Sequence, residues 1–139
     1  MPDCGFGSFL GDNGGGVCAT STSGSGGLVF SSMSNIYDDN SADFNGGGVA
    51  VISGGGGDIT FLSGNDAFTN NLANTLGGGI SLGAEGESLD ATIEDATIGG
   101  PSPFPLGGNR AGTGGGIAIR SNGGSIVVSN QGNLTCNSP

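Results

Sequence analysis

Two groupings of side chains in this chain have the types that could do chemistry. The first is the adjacent pair Asp38-Asp39. Two carboxyl groups at a set separation across a cleft are what glycoside hydrolysis needs. Neighbours in an extended segment point to opposite sides, however, so the pair reads as a solvated turn. The second is the acidic stretch Glu85, Glu87, Asp90, Glu94 and Asp95, the only dense charge cluster. Oxygen ligands from a turn and a strand could hold Ca²⁺. No loop with ligands at fixed alternate positions is present, and a solvated acidic face is the better reading. With no His and no Lys the commonest general bases are missing, so the sequence points away from catalysis and from any cofactor.

The cysteines, Cys4, Cys18 and Cys136, are odd in number. An odd count raises intermolecular pairing, with Cys4 and Cys136 near the two ends; an internal Cys4–Cys18 bridge or three buried thiols are the alternatives. Asn133-Leu134-Thr135 is an acceptor sequence for N-glycosylation where the source makes such glycans. The formal charge of −10 leaves Arg110 and Arg120 as the only cations. Such a surface repels phosphate backbones and anionic lipid, which excludes nucleic-acid partners. No apolar run approaches a membrane span, so membrane insertion is not expected.

The elements that must position these residues are set by a repeat. Gly14-Gly15-Gly16-Val17, Gly46-Gly47-Gly48-Val49, Gly77-Gly78-Gly79-Ile80 and Gly114-Gly115-Gly116-Ile117 begin 32, 31 and 37 residues apart. A period in this range marks a solenoid, whose short units bury their apolar faces only by stacking. After each triplet comes an alternating strand, as in Val49-Ala50-Val51 or Ile80-Ser81-Leu82. Its outward column, Cys18, Ala50, Ser81 and Ala118, is small and flat, suited to packing sideways against another molecule. It lacks the Thr array that ice binding would need. A Gly/Ser-rich turn leads to a second pair (Leu28/Phe30, Ile59/Phe61, Leu89/Ala91, Ile126/Val128) and then to Tyr37, Phe68 and Ile98. Three apolar stations per unit describe three strands wound round a triangular core. Glycine at this density, at roughly 1 kcal/mol per helical position, rules out a helix.

Asn40, Asn71 and Asn109 precede the following triplets by five or six residues, each with Ala two places on: Ala42, Ala73, Ala111. Amides at one station of successive coils can hydrogen-bond up and down the stack and satisfy each other inside it. Pro101-Ser102-Pro103-Phe104-Pro105 explains the long interval. Three prolines in five residues cannot join a strand ladder, so residues 99–108 form an insertion that bulges from the stack. Its tip, around Phe104, is a candidate contact loop.

Together, aromatic-x-x-Asn-x-Ala and Gly-Gly-Gly-Ile/Val resemble the repeats of right-handed parallel β-helices of the pectate-lyase-like superfamily. They are most similar to the polymorphic outer-membrane-protein type found in bacterial surface adhesins and autotransporter passengers. Phe68-Thr69-Asn70-Asn71 matches that family's Phe-x-x-Asn, and Tyr37-Asp38-Asp39-Asn40 nearly does; Leu106-Gly107-Gly108-Asn109 lacks the ring. The resemblance covers residues 6 to 130. It implies an all-β, right-handed parallel β-helix of about four three-strand coils of ~31 residues. The expected units are 1–13 (partial), 14–45, 46–76, 77–113 and 114–139 (partial), in one domain spanning 1–139.

Neither terminus reads as a cap. Either the chain is excised from a longer solenoid, or copies stack end to end, each completing the other's coil. The apolar residues expected at the ends are Phe6 and Phe9 on one side, Ile126 and Val128 on the other. The functional expectation is an extracellular or cell-surface structural protein without enzymatic activity, a fibre subunit or stalk that self-associates. An adhesin with a host or glycan ligand is the alternative, and a fragment of a glycan-active enzyme the third reading.

Overall fold

The computed structural model describes residues 14–21, 27–54, 57–84, 88–102, 107–121, 124–135 and 137–138. Every regular element among them is a strand. In chain order these are β1 (Val17–Ser21), β2 (Leu28–Met33), β3 (Ile36–Asp38), β4 (Ser41–Ala42), β5 (Val49–Ser53), β6 (Ile59–Gly64), β7 (Ala67–Thr69), β8 (Leu72–Ala73), β9 (Ile80–Ala84), β10 (Leu89–Glu94), β11 (Thr97–Gly99), β12 (Ile117–Ser121), β13 (Ile126–Asn130) and β14 (Asn133–Thr135). They pair in parallel as β1-β5-β9-β12, β2-β6-β10-β13, β3-β7-β11-β14 and β4-β8. Parallel sheets stacked in register are consistent with a β-solenoid.

Register turns the repeat into columns. Val17, Val49, Ile80 and Ile117 lie side by side on the first sheet. Leu28, Ile59, Leu89 and Ile126 do so on the second, beside Phe30, Phe61, Ala91 and Val128. Tyr37, Phe68, Ile98 and Leu134 form the column of the third. The inward columns meet in one core centred on Val49, Val51, Phe61, Phe68, Ile80, Leu82, Leu89 and Ile98. Rings stack along the axis, Phe30 on Phe61 at 5.4 Å between centroids and Tyr37 on Phe68 at 4.7 Å, both pairs nearly parallel.

Each glycine of a triplet serves a separate purpose, as Gly46-Gly47-Gly48 shows. Gly46 has φ +65°, in the left-handed region that favours glycine. A Cβ on Gly47 would stand 2.5 Å from the carbonyl oxygen of Gly78, and one on Gly48 2.6 Å from that of Gly79. Backbone of the next unit leaves no room for either.

Two features differ from the three-strand expectation. The Asn-x-Ala corner is itself a short side: β4 pairs with β8, and bridges Leu72↔Arg110 and Arg110↔Ser138 extend the line. The column expected to be an open flat surface is largely covered, with Ala50 0 % and Ser81 5 % exposed. The reason lies partly in the triplets. A Cβ on Gly46 would lie 2.8 Å from the Ala50 Cβ, one on Gly14 2.7 Å from the Cys18 Cβ and one on Gly114 3.2 Å from the Ala118 Cβ. Each left-handed turn folds over the residue four places on, which must be small.

The insertion is pinched off at its stem. The Gly100 and Gly107 backbones approach so closely that a Cβ on Gly100 would sit 2.5 Å from the Gly107 Cα. Ser102 bridges to Gly107, and the Gly108 N–H donates to the Ser102 carbonyl at 2.8 Å. The stack then resumes at Asn109.

Candidate functional site

The most ordered polar feature runs through the fourth, short side. The Asn40 backbone N–H and Nδ2 donate to Asn71 Oδ1 at 3.1 and 3.0 Å. Asn71 donates in the same way to Asn109 Oδ1, at 3.0 and 2.9 Å. Asn109 repeats it on Asn137 Oδ1, at 3.0 Å for both bonds. The other amide hydrogen reaches back one unit: Asn71 Nδ2 donates to the Tyr37 carbonyl, Asn109 Nδ2 to that of Phe68 and Asn137 Nδ2 to that of Ile98. Asn71 and Asn109 are fully buried, so this pairing removes what would otherwise be a desolvation cost of about 1–3 kcal/mol per group. Ala42, Ala73 and Ala111 are buried beside them at 1–2 % exposure. The ladder's neighbours are the triplets across the coil, since a Cβ on Gly48 would stand 3.1 Å from Asn71 Nδ2 and one on Gly79 3.1 Å from Asn109 Nδ2.

Asn137 is the member that the sequence reading missed. Its signal is Leu134-Thr135-Cys136-Asn137, an apolar-x-x-Asn without the ring, the following Ala or a further triplet. A second polar link was also missed. Asp66, 2 % exposed, accepts from Ser63 Oγ at 2.6 Å and from the Asn35 backbone N–H at 2.8 Å. It joins two units at the bend between the second and third sheets.

Of the carboxylates singled out for chemistry, Asp38, Asp39, Asp90, Glu94 and Asp95 are exposed. Asp38 Oδ1 accepts from Thr69 Oγ1 at 2.5 Å and from Asn70 Nδ2 at 3.2 Å, a contact between successive units on the exposed face. Asp39 occupies a left-handed turn at φ +57°. Asp90 and Glu94 are exposed on β10 and Asp95 is at an exposed left-handed bend. Glu85 and Glu87 lie outside the described residues. Among the described residues no group of three or more His, Cys, Asp or Glu could hold a metal ion.

Of the contact-loop residues, Pro101 is exposed, while Pro103, Phe104 and Pro105 lie outside the described residues. So do Cys4, Phe6, Phe9 and Cys136. Cys18 is disulfide-bonded, which leaves no place for three free thiols.

At the β12-β13-β14 end the core columns reach the surface. Ile126, Val128 and Leu134 are 45 %, 45 % and 52 % exposed, whereas their register partners Leu89, Ala91 and Ile98 are 0–1 % exposed. Ile117 and Ile119 beside them are half-buried. The outer edges of these three strands pair with no other described strand. At the opposite end, β1, β2 and β3 are likewise the outermost described strands of the same three sheets. No family model, curated protein or solved structure matches the chain.

Proposed function

We propose that this chain is a non-enzymatic structural unit, a right-handed β-helix of about four coils whose work is to stack coil upon coil into a fibre or stalk. The observation that carries this reading is the last set of strands. It has the side chains of an interior layer, in register with one, yet Ile126, Val128 and Leu134 stand open to solvent. Apolar side chains beside unpaired parallel strand edges call for another coil, and a second copy can supply one. The ladder and aromatic columns favour a scaffold in the same way, since they spend the most exactingly placed polar groups on holding one coil to the next.

An extracellular or cell-surface setting fits the disulfide at Cys18, because such bonds persist in oxidising compartments. The handedness and the pectate-lyase-like kinship rest on the resemblance of the repeats. Adhesion through a host or glycan ligand is the second reading, and the exposed apolar residues Val29, Met33 and Ile36 favour it, at 69 %, 75 % and 77 % exposure.

Light scattering and negative-stain microscopy of the purified chain test the proposal. Concentration-dependent filaments are expected, with an axial repeat of ~19 Å from about four coils at the ~4.8 Å parallel-strand spacing. A monomer at every concentration would reject it.

A further inference from the structure

The two ends of the stack carry different charge. Residues 96–139 contain both arginines and no Asp or Glu side chain, so all twelve acidic side chains of this chain of −10 lie at or before Asp95. Residues 14–45 contain Asp38, Asp39 and Asp43, all exposed, and no cation. Arg110 is exposed and bridges to Ser138, so both arginines sit toward the β12-β13-β14 end.

The hydrogen-bond ladder also has a direction. At each step the N–H groups of one Asn donate to the Oδ1 of the next in sequence, from Asn40 through Asn71 and Asn109 to Asn137. An added coil would therefore meet amide donors at the Asn137 end and an amide oxygen at the Asn40 end. The sheets agree: all pairings are parallel, so a copy added in the same direction extends each sheet in its own sense. Two copies meeting by like ends would run their strands antiparallel and set donor against donor or carboxylate against carboxylate.

We propose that copies of this chain join head to tail, the arginine-bearing β12-β13-β14 end of one against the acidic β1-β2-β3 end of the next, with the charge difference steering the encounter. This rests on the stacking reading above and adds its partner surface, its polarity and its control by salt. Steering of this kind is screened within about 10 Å at 0.1 M salt, so assembly should respond to ionic strength.

Three measurements on the full chain test it. Sedimentation velocity from 20 to 500 mM NaCl should show the concentration for half-assembly rising at least fivefold. Arg110→Glu with Arg120→Glu, both exposed and outside the core, should weaken assembly at least tenfold at low salt with circular dichroism unchanged, while Arg110→Lys with Arg120→Lys retains it. A Val128→Asp/Leu134→Asp chain, blocked at one end only, should cap growth when mixed at about one part in ten with wild type. Assembly indifferent to salt and to both arginine reversals, or a blocked chain that caps nothing, would overturn the head-to-tail assignment and leave stacking standing. A wild-type chain that never assembles would overturn both.

Discussion

At the scale of single residues, a buried amide is either part of a chain of partners or a cost. Asn71 is fully buried, makes bonds above and below, and touches the glycine layer across the coil. Replacing it with Ala removes the acceptor of the Asn40 N–H groups and the side-chain donor to the Tyr37 carbonyl, and leaves Asn109 Oδ1 only the backbone N–H of residue 71. Asn71→Ala is therefore expected to lower stability by about 1–3 kcal/mol, read as a shift in the denaturant midpoint. The exposed Ser129→Ala should stay within about 0.5 kcal/mol, and equal shifts for the two would refute the ladder's role. Ser53 gives the opposite case. It is 0 % exposed, its Oγ has no hydrogen-bond partner, and its register neighbour is already Ala84. Removing an orphaned hydroxyl from such a place frees its desolvation penalty, so Ser53→Ala should be neutral or stabilise by about 1 kcal/mol. A clear loss in thermal melting would show that the hydroxyl is used.

At the scale of the coil, the glycine triplet is the element that allows units to approach. The Cβ of Gly47→Ala would meet the Gly78 and Leu72 carbonyl oxygens at 2.5 and 2.6 Å, both backbone atoms that cannot swing aside. The unit must then separate from its neighbour, and a loss of more than about 3 kcal/mol or failure to fold is expected, beyond ordinary point substitutions. Gly83→Ala is the control, because a Cβ there meets nothing within 4 Å. Equal melting temperatures for the two variants would remove the close-approach argument. The same element shows what the sequence could and could not tell. Alternation in Val49-Ala50-Val51 marks which residues face the core, because a side chain's direction follows from strand period alone. It carries no information about what lies over the other face, and so Ala50 and Ser81 looked like free surface. The inward stations were legible to Leu134, as was the amide at Asn40, Asn71 and Asn109. Asn137 was harder because it lacks the ring and the following triplet. Asp66 and Asn35 were not legible at all, since two different residue types occupy the same station and no repeat draws attention to them.

At the scale of the whole molecule, stability in a stack is a sum of units and of the interfaces between them, so the same loss should register differently along the axis. Leu89 and Ile126 occupy one column as direct register partners, one interior and one at the open end. Leu89 is 1 % exposed and Ile126 45 %. Leu89→Ala should cost about 2–5 kcal/mol, the range for emptying a packed core site. Ile126→Ala has less contact to lose in the isolated chain and should cost about 0.5–1 kcal/mol there. If another coil packs on the β12-β13-β14 end, however, the Ile126 side chain becomes an interior one on assembly. Its truncation would then weaken association by about 1–3 kcal/mol per junction, a rise of about 5- to 150-fold in the concentration for assembly. The two numbers come from one pair of samples, melting at dilute concentration and scattering at high concentration. A stack joined through this end requires the cost of Ile126→Ala to move from the first measurement to the second. A cost that stays wholly in the melting temperature, with assembly unchanged, would mean that the junction lies elsewhere on the molecule.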